Sequence, residues 1–122
     1  MAGKLVHWEF PADDAGRATS FWSSLFGWDF EEFQGSGYHM TQSTEPGGAL
    51  QSRQEGQTGI TVYFDVDDVE AASEKVQSLG GTVAMPKSPV PSMGYFAICA
   101  DTEGNTFGLW ESDESAPAPS QS

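Results

Sequence analysis

The amino-acid sequence predicts an α+β protein made of two successive modules, each with one strand, one helix and three further strands. A strand-like stretch, an acidic helix cap, an amphipathic helix and a glycine stop occur in this order at residues 5–28 and again at 60–81. Short strand-like stretches separated by glycine-bearing turns follow both helices. A repeat of about half the chain indicates that neither module buries its sheet alone.

The first strand, LVHWEF, has two different faces. Successive side chains of a strand point to opposite sides, so Val6, Trp8 and Phe10 share an apolar face. His7 and Glu9 share the other face. These two polar residues are either a solvated outer surface or part of a binding site.

A helix is predicted directly after this strand. Asp13 or Asp14 can cap it, because a short acidic side chain accepts hydrogen bonds from the free backbone N–H groups of the first turn. The apolar residues of the helix recur at three- and four-residue spacing and can pack on the apolar face of the first strand, and Gly27 suits the helix end. The stretches WDFEEF, YHMTQ and GALQS are predicted to be the other three strands, with the facing of His39 left open.

The second module repeats this order. It begins with the strand ITVYFDV, continues with a helix capped by Asp67 or Asp68, and is followed by the strand candidates TVAMP, YFAICA and TFGLWE. The proline-rich stretch PKSPVPSMG is predicted to be a loop. We therefore expect a single domain over residues 1–112, with module one at about 4–55 and module two at about 58–112. The polar segment 113–122 is predicted to be a disordered tail.

Composition excludes several classes of partner and location. With 18 acidic and 5 basic residues, the formal net charge is −13, which repels phosphate backbones and disfavours nucleic acid and anionic membranes as partners. This charge is explained either by solubility or salt adaptation, or by attraction of a cationic ligand. No apolar run of membrane-spanning length and no leader pattern occur, and Cys99 is the single cysteine. These features predict a cytoplasmic protein.

The sequence resembles the glyoxalase/bleomycin-resistance/extradiol-dioxygenase group, the vicinal oxygen chelate superfamily. The resemblance lies in VHWEFPADDAGRATSFWSSLFGW, VYFDVDDVEAASEKVQSLGG, PKSPVPSMGYFAICADTEGN and FGLWE. It implies two βαβββ modules in tandem that form curved mixed sheets with the helices outside. It also implies a ligand or metal trough between the modules, and a homodimer. The reactions of the group include isomerisation, ring-cleaving oxygenation and epoxide opening, and some members only sequester drugs.

The resemblance implies a metal ligand from each of four strands. His7 and Glu111 match the ligands of the first and last strands, and both are also the implied catalytic residues. Thr61 stands where the second histidine is expected, and a threonine hydroxyl is a poor ligand for Zn, Ni or Fe. The stretch Gly48 to Gln51 holds no His, Asp or Glu for the remaining position. The site for a divalent ion (Zn, Ni, Mn or Fe) is therefore incomplete.

Two functions follow from these observations. The first is binding of a small, partly aromatic or apolar molecule without a metal cofactor, because such a site needs only an apolar cavity and a few placed polar groups. The second is a divalent-metal-dependent lyase, isomerase or dioxygenase that uses His7 and Glu111, either as metal ligands or as base and acid. A plain structural ion pair of His7 with Glu111 is the alternative to both. Further ligand-binding residues are predicted to be Glu9, Thr61, Tyr63, Met93, Tyr95 and Leu109.

Overall fold

The computed structural model describes residues 3–33, 35–53 and 59–117. Within these ranges the chain forms strands and helices in the predicted order, and the α+β class is confirmed. The chain divides into two compact units, Val6–Val62 (the first unit) and Met1–Leu5 with Tyr63–Ser122 (the second unit). In the part of the chain that the structure describes, neither helix is long and apolar enough to cross a membrane.

The first unit contains one helix and a sheet of four strands. The strand order is β2-β3-β4-β1, in which β1 and β4 are parallel and the other neighbours are antiparallel. The elements are β1 (Leu5–Ala12), α1 (Ala15–Phe26), β2 (Glu31–Glu32), β3 (His39–Thr41) and β4 (Gly48–Ser52).

The second unit has the same connections. Its strand order is β5-β8-β7-β6, in which β5 and β8 are parallel and the other neighbours are antiparallel. The repeat seen in the sequence is therefore a repeat of topology. The elements are β5 (Thr61–Asp65), α2 (Val69–Ser78), β6 (Thr82–Val90), β7 (Gly94–Ala100) and β8 (Thr106–Ser112).

The acidic residues before each helix are N-caps. Asp14 accepts a hydrogen bond from the backbone N–H of Arg17 at 2.9 Å, and Asp68 accepts one from Ala71 at 3.1 Å. Each bond satisfies an N–H group that has no partner inside its own helix. Gly27 ends α1 with φ at 74°, a conformation that glycine adopts without steric cost.

Strand β6 is longer than expected. The sequence analysis assigned the proline-rich stretch after residue 85 to a loop, and this is wrong because β6 continues through Pro86 and Pro89 to Val90. Proline lacks the N–H that an inner strand must donate, but β6 lies at the end of its sheet and its pairing with β7 shifts register twice. An edge strand with such irregularities tolerates proline.

The cores of the two units differ in composition. In the first unit, Trp8 and Phe10 of β1 lie against Trp22 and Trp28, with ring centroids 5.7 Å apart for Trp8–Trp28 and 5.4 Å for Phe10–Trp22. In the second unit, the buried residues form an aliphatic core under α2. Burial raises the pKa of the Cys99 thiol, which favours the uncharged thiol at this packed position. The core members are Val69, Ala97, Cys99 and Leu109.

The start of the predicted tail is held in place. The backbone oxygen of Ala116 accepts a hydrogen bond from Ser92, and the N–H of Asp113 donates to Met93. Ala116 is buried. These contacts differ from the predicted disorder for residues 113–117, whereas residues 118–122 lie outside the described residues.

Glycine is required where Trp8 crosses β4. Trp8 pairs with Gly48 in the parallel ladder, and a Cβ added at Gly48 would stand 2.0 Å from Cδ2 of the indole. The indole therefore occupies the space of the missing side chain. It is held there by hydrogen bonds of 3.1 Å from Nε1 to Thr44 Oγ1 and to the backbone oxygen of Pro46.

We expect Gly48→Ala to destabilise the protein by about 1–3 kcal/mol, the usual cost of adding a methyl group to a packed site. Urea unfolding followed by tryptophan fluorescence measures this change. Gly59→Ala is the control, because an added Cβ there meets nothing within 4 Å. Equal unfolding midpoints for the two variants would contradict the proposed Trp8–Gly48 contact.

Candidate functional site

The polar face of β1 points away from α1. Because Trp8 and Phe10 pack on the helix, His7 and Glu9 lie on the opposite face of the sheet, which we call the open face of the first unit. The alternation read from LVHWEF is confirmed. Neither residue is a solvated outer group, since the side chains of His7 and Glu9 are only 23% and 11% exposed.

His7, Tyr38 and Glu9 form a hydrogen-bonded cluster on this face. The hydroxyl of Tyr38 donates to Glu9 Oε2 at 2.5 Å, and His7 Nε2 lies 2.5 Å from the same hydroxyl oxygen. Nε2 of His7 and Oε2 of Glu9 are 3.6 Å apart. A phenol has one proton to give, so the bond to Glu9 makes His7 Nε2 the donor towards the phenol oxygen.

Tyr38 reaches this cluster across a neighbouring strand. It directly precedes β3, and β4 lies between β3 and β1 in the sheet. On the open face, the residue of β4 that pairs with Glu9 is Ala49. Ala49 is fully buried, and its small side chain leaves room for the phenol ring to pass. Tyr38 is not among the residues predicted from the sequence, because its face depends on the pairing of β3 with β4.

A pocket of about 570 Å³ lies on the edge-strand side of the first unit. Met40, one of its lining residues, pairs with Ala49, which in turn pairs with Glu9. Met40 is therefore in the same cross-strand row of the open face as Glu9, with only Ala49 between them. The pocket joins carboxylates to apolar side chains, and its lining is Asp29, Phe30, Glu31, Phe33, Met40, Gln42 and Ser43.

His39 is not part of this cluster. It neighbours Met40 in β3, so it points to the opposite face, where it lines a separate pocket of about 410 Å³ with residues at the end of α1. The two histidines of the chain therefore lie on opposite faces of the sheet of the first unit.

The predicted site residues of β5 are buried. Thr61 is 6% exposed and Tyr63 is 7% exposed. Tyr63 pairs with Gly108 of β8, and its ring fills the space beside that glycine, where an added Cβ would stand 2.1 Å from Cδ2. Tyr63 therefore has a packing role, as Trp8 does in the first unit.

The predicted ligand-binding residue Leu109 is a core residue. It is 5% exposed and packs with Val69, Ala97 and Cys99. The face of β8 that carries it packs on α2, so its predicted contact with a ligand stays a prediction. Met93 is 39% exposed, in the turn between β6 and β7.

Glu111 lies on the same helix-covered face as Leu109. Its Oε1 accepts a hydrogen bond of 2.9 Å from the backbone N–H of Val69, the first residue of α2. Lys87 Nζ is 4.0 Å from this carboxylate and 4.3 Å from the centre of the Tyr95 ring. The sequence analysis expected Glu111 on a ligand-facing surface, whereas the structure gives it a partner at the positive end of α2.

These residues do not fit the metal site that the resemblance implies. Glu111 is engaged by the backbone of α2, and the Tyr38 hydroxyl bridges His7 and Glu9. Among the residues that the structure describes, no three or more His, Cys, Asp or Glu side chains come together as metal ligands. A catalytic zinc site normally has three protein ligands. The described residues therefore do not match the donor set of a catalytic metal site.

Comparison with known proteins identifies the family. The sequence profile of the glyoxalase-like domain matches residues 7–110, which is most of the chain. The chain belongs to this family. The matched stretch includes the polar cluster as well as both helices, and the resemblance seen in the sequence is confirmed.

Two curated relatives are longer than this glyoxalase-like chain. Putative glyoxylase CFP32 of Mycobacterium tuberculosis strain CDC 1551 is 32% identical over 110 residues, which cover 82% of this chain and 42% of that protein. Anthracycline biosynthesis protein DnrV of Streptomyces peucetius is 28% identical over 132 residues, covering 88% of this chain and 46% of that protein. This chain spans less than half the length of these two relatives.

A solved structure shares the fold. A glyoxalase/bleomycin resistance protein/dioxygenase superfamily member from Vibrio splendidus 12B01 has a TM-score of 0.68 and 12% sequence identity. The similarity covers 93% of this chain and 100% of that one. At this identity the similarity shows the architecture and leaves the activity open.

We expect Glu111→Ala to lower the free energy of unfolding by about 1–2 kcal/mol, because it leaves the Val69 N–H without its charged acceptor. Urea unfolding followed by circular dichroism measures this loss. Glu111→Gln is the matched control, since its amide oxygen can still accept the hydrogen bond and it should lose less stability. An unfolding midpoint of Glu111→Ala equal to that of the unsubstituted protein would contradict the helix-terminal role.

Proposed function

We propose that this glyoxalase-like protein binds a small, partly aromatic molecule on the open face of the first unit. The observation that supports this proposal is the His7–Tyr38–Glu9 cluster, because it presents a donor and an acceptor side by side on the sheet face opposite α1. A binding site of this kind combines a mainly apolar wall with a few polar groups that fix orientation.

The cluster selects the polar group of the ligand. Glu9, as a carboxylate, accepts hydrogen bonds only, and His7 donates through Nε2. A ligand hydroxyl beside a ligand carbonyl would match this pair, with the hydroxyl donating to Glu9 and the carbonyl accepting from His7. It would take over the two hydrogen bonds that the Tyr38 hydroxyl makes.

The neighbouring pocket supplies the apolar part of the site. Phe33 and Met40 line it, and a methionine side chain adapts readily to flat aromatic ligands. The ligand class is thus a planar phenol with an adjacent carbonyl. An anthracycline has this chemistry, and the name of the relative DnrV makes it a reasonable first probe.

Acid–base catalysis is the second candidate function. It is favoured by the continuous hydrogen-bonded chain from His7 through Tyr38 to Glu9, along which a proton can be exchanged between an imidazole and a carboxylate. A lyase or isomerase reaction at a carbon next to a carbonyl needs a base and an acid placed in this way. The residues would be His7 and Glu9, since Glu111 is occupied at α2.

The assembly and location of the chain are also proposals. Members of the superfamily often form dimers, and we propose a homodimer for this chain. Three further expectations stay predictions: a cytoplasmic location, a trough between the two modules, and the absence of nucleic-acid and membrane partners. The net charge of −13 supports the last of these.

We expect His7→Ala to weaken anthracycline binding about three- to tenfold, because a hydrogen bond between neutral groups is usually worth about 0.5–1.5 kcal/mol. Tyr38→Phe is expected to change the affinity less, since the ligand replaces the phenol hydroxyl. Quenching of the probe's fluorescence on titration with protein measures the dissociation constant. His39→Ala is the matched control and should change it by less than twofold.

The outcomes separate the candidate functions. Equal affinities of the His7→Ala and His39→Ala variants, or no binding by the unsubstituted protein at millimolar concentration, would overturn the proposed site. Chemical conversion of the probe, detected by chromatography as a new product that Glu9→Gln abolishes, would favour the acid–base enzyme. Stoichiometric metal in protein purified without chelator, lost from both His7→Ala and Glu111→Ala, would restore the metal-dependent alternative.

A further inference from the structure

The outer face of α1 is apolar and exposed. Phe21, Leu25 and Phe26 are 58%, 55% and 59% exposed. They adjoin the aromatic core of the first unit, since Phe21 and Phe26 lie 5.1 and 6.0 Å from Trp22 between ring centroids. Large aromatic side chains that form one exposed patch usually mark an interaction surface.

Helix α2 is also exposed, but several of its exposed side chains are charged. Exposure to solvent therefore does not explain why the outer face of α1 is apolar. The two helices have the same place in their modules, yet the exposed positions of α2 include Glu70, Glu74 and Lys75. In α1, residues 15–26, the single charged residue is Arg17. A chain of net charge −13 thus has one helix from which acidic residues are missing.

We propose that this face of α1 docks on the same face of a second copy of the chain, with the two helices antiparallel about a twofold axis. This inference adds a surface to the homodimer proposed above. Two copies of so acidic a chain repel each other, and the repulsion is smallest where the contacting surfaces carry no carboxylates. A twofold interface also requires a patch that is complementary to itself.

The spacing of residues along α1 meets this requirement. Arg17, Phe21, Leu25 and Asp29 follow one another at intervals of four residues, and the first three lie along one ridge of the helix. In an antiparallel pair centred on Ser23, Phe21 faces the partner's Leu25. The same centre brings Arg17 to the end of the partner's helix, where the chain leaves α1 through Gly27 towards Asp29.

The helix ends support the same arrangement. The last turn of α1 has no basic residue to offset the negative end of its dipole. In the antiparallel pair, Arg17 of one copy lies beside the last turn of the other helix and supplies that charge. The apolar contact then has an Arg17 at each end, beside the capping carboxylate of Asp14.

Sedimentation velocity over a range of protein concentrations tests the surface. We expect a reversible monomer–dimer equilibrium whose dissociation constant rises at least tenfold in Leu25→Glu. Leu79→Glu is the matched control: Leu79 is 68% exposed just after α2, receives the same charge, and should change the dissociation constant by less than twofold. Circular dichroism checks that both variants are folded.

Charge reversal tests the antiparallel register. Arg17→Glu and Asp29→Arg are each expected to weaken the dimer, and the double variant should regain most of the affinity. If the double variant dimerises even more weakly than either single variant, the proposed antiparallel register is wrong. A protein that is monomeric at all concentrations would contradict both the homodimer and the proposed α1 interface. A dimer that Leu25→Glu leaves intact would contradict the α1 interface only.

The anthracycline titration, repeated on Leu25→Glu, separates this inference from the proposed function. A monomeric variant that binds the probe normally would leave both standing. Loss of the dimer in Leu25→Glu with no probe binding by the unsubstituted protein would support the surface and overturn the binding site. If the exposed face of α1 binds an unrelated protein and not a second copy of this chain, the proposed partner is wrong.

Discussion

The contact of the Trp8 indole with Gly48 fixes the orientation of the first unit. Trp8 pairs with a residue that has no side chain, and the indole fills the vacated space. This sets the register of the parallel strands β1 and β4. A slip by one residue would turn every side chain of β1 to the other face and bring His7 and Glu9 under α1, where two polar groups would be buried against tryptophans.

The same constraint creates the candidate site. Once Trp8 and Phe10 are committed to α1, His7 and Glu9 must share the open face, and the small residue Ala49 lets Tyr38 reach them across β4. The result is a desolvated donor–acceptor pair, in which hydrogen bonds are stronger than in water. Among the residues that the structure describes, this cluster offers only two of the three side chains that a catalytic zinc normally takes.

Local signals in the sequence predicted much of this structure, and the differences at the candidate site have a common cause. The alternation of LVHWEF, the caps Asp14 and Asp68, and the repeated module depend on neighbouring residues, so they could be read directly. Tyr38 was missed and Glu111 was given the wrong surroundings because both depend on strand pairing and on which face carries the helix. The parity of β8 was predicted correctly, and the apolar Leu109 beside Glu111 was the signal that this face is the core.

The most direct test of the binding site uses the two histidines as reporters of opposite sheet faces. Imidazole resonances are followed by two-dimensional NMR while an anthracycline is added, with assignments from His7→Ala and His39→Ala. The proposed site predicts that the His7 resonances shift in proportion to occupancy while those of His39 stay in place. Shifts of His39 with His7 unchanged would show that the ligand binds elsewhere and would contradict the central claim.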